Sequence, residues 1–192
     1  VPQGIKVYGG FDGSESLLSQ RNVMQNITTL SGDIGALGDI ADNTYHIMKV
    51  TGNEVVVDGF EFILGNASDT GEYSDGAAIY ATGDYFTINK CTFKNNLIID
   101  SGSVFLLSSD NSVISSCHFI DNTAAFGAGI YNSNSSPHIS NCIFVRNHAS
   151  GKGGAMENFN GSSPTIVNCT FYGNSAQYGG AISNYNNCSP SI

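Results

Sequence analysis

The sequence predicts an all-β chain wound into a parallel β-helix, a solenoid of about seven coils of roughly 26 residues each. The first observation is a phrase that occurs four times, at 88–96, 114–122, 139–147 and 166–174, with Cys, Phe and Asn at fixed offsets. Successive cysteines of this phrase are 26, 25 and 27 residues apart, as expected of units that bury their apolar face only by stacking on neighbours. The second is a glycine-led segment of the same period, at 76–80, 102–106, 127–131, 153–157 and 179–183. The third is the shortness of the apolar runs, which span three to six residues and end in Asn, Gly, Ser or Pro. A helix needs ten or more residues with apolar positions three and four apart, so these runs read as strands and turns.

Taken in chain order, residues 5–11 and 27–30 read as two opening rungs joined by longer loops at 12–25 and 31–45. Residues 46–50 match the strand around Ile79, and 55–62 match 87–93 with Phe60 in the cysteine slot. The whole of 1–192 is one domain, irregular over 1–66 and regular over 67–192, with two or three short strands expected per coil. Side chains two apart on a strand share a face. Cys91, Cys117, Cys142 and Cys169 therefore point inward with Phe93, Phe119, Phe144 and Phe171, while Thr92, His118, Ile143 and Thr170 point outward. In the glycine-led strand the outward column reads Tyr80, Leu106, Tyr131, Glu157 and Ser183.

Asn96, Asn122, Asn147 and Asn174 each follow a cysteine by five residues. Stacked about 4.8 Å apart, their amides can bond one another and cap turn backbone. Asn132, Asn158 and Asn184 form a second such column. The cysteines are expected to be free thiols acting as small buried hydrophobes, because in-register neighbours point side by side and cannot reach bridge geometry. Zinc is excluded on the same ground, since ligands in single file cannot surround a metal tetrahedrally. Cys188 falls outside the register, aligned with Ser162 in a turn.

The cysteine repeats, with Asn168-Cys-Thr-Phe-Tyr-Gly-Asn174 and Gly179-Gly-Ala-Ile-Ser-Asn184, resemble the polymorphic outer-membrane protein repeats of bacterial surface proteins. The opening, from Gly4-Ile-Lys-Val-Tyr-Gly-Gly-Phe-Asp-Gly through Gln20-Arg21 to Leu30-Ser-Gly-Asp and Asp42-Asn-Thr-Tyr-His46, is similar to the first coils of secreted right-handed β-helix proteins of the pectate-lyase-like superfold. The resemblance implies a right-handed coil and an exported protein, extracellular or on a bacterial cell surface. Residues 189–192 match 163–166, just before the next cysteine would fall due, so the sequence is expected to be a fragment of a longer chain.

Composition narrows the partners. A formal charge of −9 with only seven Lys and Arg disfavours nucleic acid, and no apolar run reaches the 18 or so residues that would span a bilayer. No cofactor is called for. Calcium is the one ion with candidate ligands, because Asp33, Asp39 and Asp42 crowd a Gly-rich loop and could offer hard oxygens. Arg21 is expected to pair with a carboxylate of the opening loops. The histidines lack a nucleophile or carboxylate at a recurring nearby position.

Lyases of the superfold, as the resemblance implies, place calcium-binding aspartates beside a basic residue. Here the basic residues are scattered through different repeat positions, and no paired-carboxylate site is evident. A polysaccharide lyase or glycoside hydrolase is therefore the alternative to a non-enzymatic adhesion, scaffold or glycan-binding role. Tyr80 and Tyr131 in one outward column, and Phe126 and Tyr178 in another, are the candidate residues on which a polysaccharide could stack. A surface protein is the other candidate partner.

Overall fold

The computed structural model describes residues 1–69 and 74–192, and the chain winds as a right-handed parallel β-helix. One regular turn shows the design: strands Val113–Ser115, His118–Ile120, Thr123–Phe126 and Ile130–Ser133 follow one another around the coil. Each pairs in parallel with its counterparts in the turns before and after, giving four sheets of six, six, five and six strands in chain order among the described residues. The first and fourth sheets thus hold six full turns, and a bridge from Thr165 to Ser191 begins a seventh.

Four strands per turn replace the expected two or three. The unforeseen one follows the asparagine, as in Thr123–Phe126, His148–Lys152 and Ser175–Tyr178. Its register pairs Ala124 with Ala149 and Ala149 with Ala176, so its inward side chain is a methyl group that leaves no hydrophobic pattern to read. The opening also differs. Lys6–Tyr8 and Thr28–Ser31 belong to the first and second sheets of a single turn, not to two successive rungs. The long segment between them is an insertion at one corner, and it contains the 3-10 turn Leu18–Gln20.

A third correction concerns register. Gly102 is followed by one residue fewer before the inward apolar position than Gly76 or Gly127, so Val104, not Phe105, stacks on Ile79 and Ile130. Phe105 consequently stands in the outward column with Tyr80 and Tyr131, while Leu106 is fully buried.

The interior is built as predicted. Phe62, Phe93, Phe119, Phe144 and Phe171 stack with ring centroids 5.0, 4.8, 4.7 and 4.7 Å apart, nearly parallel. Cys91, Cys117 and Cys142 are buried free thiols, and Cys169 is partly buried. Their thiols donate to backbone carbonyls, as Cys117 does to Ser115 at 3.2 Å, and burial pushes the Cys117 thiol well above its ordinary pKa. Between the first and second sheets the chain turns on a single left-handed residue, Lys90, Ser116, Asn141 or Asn168, with φ of 50 to 54°. Gly59 fills that slot one turn earlier at φ 82°, where a Cβ would strike the Arg21 guanidinium and the Val23 side chain.

Asparagines close the next corner. The amide nitrogen of Asn122 donates to Phe93 O at 3.0 Å and to Asn147 Oδ1 at 2.9 Å. Its own Oδ1 accepts from the backbone and side chain of Asn96, at 3.1 and 3.0 Å, and from Ser103 Oγ at 3.2 Å. Asn147 and Asn174 repeat the pattern, and Asn132, Asn158 and Asn184 form a second amide chain at 2.8 Å per step. Ser135 and Ser162 hydroxyls accept from the backbone of the preceding turn, and Cys188 occupies the slot above them.

Removing the Asn122 amide would strand several buried groups at once. Asn122→Ala is expected to lower unfolding free energy by about 3 kcal/mol in urea denaturation. The exposed Thr170→Ala should change it by less than about 0.5 kcal/mol.

Candidate functional site

The outer face of the fourth sheet carries the column Lys49, Tyr80, Phe105, Tyr131, Glu157 and Ser183, one residue per turn. Its rings stack, with Tyr80 to Phe105 at 5.2 Å and Phe105 to Tyr131 at 5.5 Å. Tyr80 is only 8% exposed, held between Phe105 and the His46 ring, so it supports the stack and offers no open platform. Tyr131 is half-buried. Phe126, Lys152 and Tyr178 form the neighbouring column where the chain enters this sheet, as predicted for the first and last. Phe126 lies against Gly151, where a Cβ would come within 2.8 Å of the ring.

The same corner collects carboxylates that sequence spacing did not bring together. Ser101 N donates to Asp75 Oδ1 at 3.0 Å, and Ser101 Oγ donates to Asp100 Oδ1 at 3.2 Å, so one residue bridges two acids from successive turns. Glu157, only 2% exposed, stacks in register above Tyr131, and its buried Oε2 has no hydrogen-bond partner among the described residues. Burial, then the Asp100 charge, pushes Asp75 up to about 6. Burial also pushes Glu157 up to about 7, opposed by Lys152 and reinforced by Asp100. Tyr131 is held above its ordinary value by burial and by Glu157, Asp100 and Asp75.

Two carboxylates of neighbouring turns, Asp75 and Asp100, are thus linked through Ser101. Asp75 and Asp100 sit in turns outside the repeated strand phrases, and a search confined to outward strand positions passes over them.

These observations can be set beside known proteins. Residues 39–192 match the family model described as the right-handed beta helix region. The chain belongs to that family. Searches of curated proteins and of solved structures each returned no match.

As a family member it keeps the other predicted residues apart from this corner. Asp33 accepts from Gly38 N, Asp39 from Ala41 N and Asp42 from Ala36 N at 2.7 Å, so each carboxylate caps its own loop. Among the described residues no group of three His, Cys, Asp or Glu is arranged to hold a metal ion. Arg21 pairs with Asp58 of the second turn at 2.7 Å, not with an opening-loop acid, and also donates to Gly9 O. That ion pair, about nine-tenths buried, fastens the first insertion to the helix. His118 points outward as expected, between Thr92 and Ile143. It lines a separate cavity of about 470 Å³ under the insertion, with Val23, Met24, Ile27, Phe60 and Lys90. The one carboxylate of this cavity, Glu61, accepts a hydrogen bond from Thr29 at 3.1 Å.

Glu157 and Asp75 bind protons more tightly in the folded chain than in the unfolded one. Their contribution to stability is complete below the ordinary carboxylate range and is lost as pH rises through about 6 for Asp75 and about 7 for Glu157. The melting temperature should fall across that window, and Glu157→Gln should remove the upper part of the fall. Superimposable profiles for the two proteins, measured by circular dichroism, would contradict the assignment.

Proposed function

We propose that this protein is an exported β-helix, extracellular or on a bacterial cell surface, that acts as an adhesin or scaffold by binding a polysaccharide along the fourth sheet. The observation that carries this reading is the run of aromatic rings on the outer side of this sheet, from Tyr80 through Phe105, half-buried Tyr131 and Phe159 to the exposed Tyr185, with half-buried Asp75 and Asp100 beside it. Sugars stack on such rings through their C–H faces and hydrogen-bond to acids at the edge. Nearly every other recurring residue is already engaged in holding one rung to the next, which favours a regular binding surface over a dedicated catalytic centre. Phe126 and Tyr178 extend the apolar surface along the adjoining turns.

Cleavage of the same glycan is the second reading. Carboxyl groups raised to about 6 and about 7 are poised to exchange protons near neutral pH, as a glycoside hydrolase requires. A lyase has less support, because among the described residues Lys152 is the basic side chain that acts on Glu157, and its Nζ lies 3.5 Å from the Tyr185 ring centre.

A glycan array followed by a reducing-end and unsaturated-product assay, with and without calcium, separates the readings. Binding without turnover, weakened about tenfold by Tyr131→Ala, is the expected result. Turnover abolished by Glu157→Gln would replace binding with hydrolysis.

A further inference from the structure

The cavity under the first insertion has a chemistry of its own, independent of any glycan on the fourth sheet. Its volume of about 470 Å³ lies within the range of small-molecule sites. The roof is held in place without a ligand. The buried ion pair of Arg21 with Asp58 pins the insertion to the second turn, and Gly59 lets Val23 press so close that a Cβ there would stand 2.5 Å from its Cγ1. Apolar side chains gather at this end. Phe60 takes the slot that cysteine holds in later turns, and its half-buried side chain lines the cavity beside Val23. Met24 and Ile27 line it too and remain 82% and 64% exposed, so their apolar surface is not spent on the core.

The other end is polar. Glu61, Thr92 and His118 stand in one outward column of successive turns, which puts Glu61 and His118 about 10 Å apart. Glu61 accepts from Thr29 in the turn before, so its charge is drawn to the side opposite His118. Lys90 occupies the left-handed corner slot at φ 50°, which Gly59, Ser116, Asn141 and Asn168 fill in the other turns. The corner does not itself need a lysine, because glycine and short polar residues adopt that conformation at lower cost. Among the described residues the side chains of Lys90, Ser116 and His118 have neither a hydrogen bond nor an ion pair.

We infer that this cavity binds a small anionic amphiphile, a carboxylic acid with an apolar chain, its tail lying between Phe60 and the insertion and its carboxylate meeting Lys90, Ser116 and His118. The match is one of charge as well as shape. An amine of the same length would bring a second cation to Lys90, and an alcohol would gain the apolar contact alone. Because Lys90 is exposed, its charge selects the head group while the tail supplies most of the affinity.

The test is titration calorimetry of the full chain with hexanoate, octanoate and decanoate, each below its micellar concentration, and with decanol and decylammonium for comparison. Affinity should rise about fourfold for each methylene that enters the cavity. Decanoate should bind about fivefold more tightly than decanol or decylammonium. Lys90→Asn puts into the slot the residue found there at 141 and 168, so the chain should fold as before, bind decanoate about fivefold more weakly and bind decanol unchanged. Ile27→Ser trims an exposed side chain of the roof and should weaken both ligands. Decanoate that fails to bind, that binds no better than decanol, or that binds Lys90→Asn as tightly as the parent would overturn the inference, as would parental affinities in Ile27→Ser. Self-association of the chain that decanoate reverses would assign the cavity to a second copy and overturn it as well. None of these results bears on glycan binding at the fourth sheet.

Discussion

Parallel, in-register stacking of one turn on the next is the constraint on which the rest of the molecule depends. Each strand satisfies its backbone through the turns on either side, and each apolar side chain is covered by its equivalent one turn away. A column can therefore hold only residues that tolerate their own neighbour: phenylalanine rings offset-stack, cysteines pack as small hydrophobes, and asparagine amides donate to the next carbonyl in line. Like charges repeated in a column would repel, which explains why so few of the repeated positions are charged.

This logic made most of the fold legible in the sequence. The Cys91, Phe93 and Asn96 spacing named the strand, its buried face and its closing turn, and the same spacing 26 residues later implied the partner. Legibility failed where the inward residue carried too little hydrophobic surface. Ala124 and Ala149 occupy an inward column with only a methyl group, so the third sheet left no pattern. It failed again where one residue was missing: the shortened link after Gly102 exchanged the sides of Phe105 and Leu106, because strand faces alternate and a slip of one reverses them. The opening strands looked like two rungs because the insertion between them is nearly the length of a turn.

The candidate site shows a different limit. Tyr131, Phe126 and Tyr178 could be picked out because they lie in strands whose outward faces can be counted. Asp75 and Asp100 could not, since they occupy turns and meet only through Ser101. Turn residues escape the packing rule that governs the strands, and that freedom lets a repetitive scaffold carry an irregular cluster of acids. The buried Glu157 links the two regimes: it holds a strand position but answers electrostatically to the turns beside it. The regular columns supply rigidity, and the corner supplies the chemistry that distinguishes one turn from the next.

The most direct measurement of the central claim is the position of the sulfur atoms, located by anomalous diffraction from crystals of the protein. The account predicts Cys91, Cys117, Cys142 and Cys169 in a single row, separated by about 4.8 Å per turn and unbridged. Sulfurs dispersed through the density, or joined in pairs at bonding distance, would contradict it.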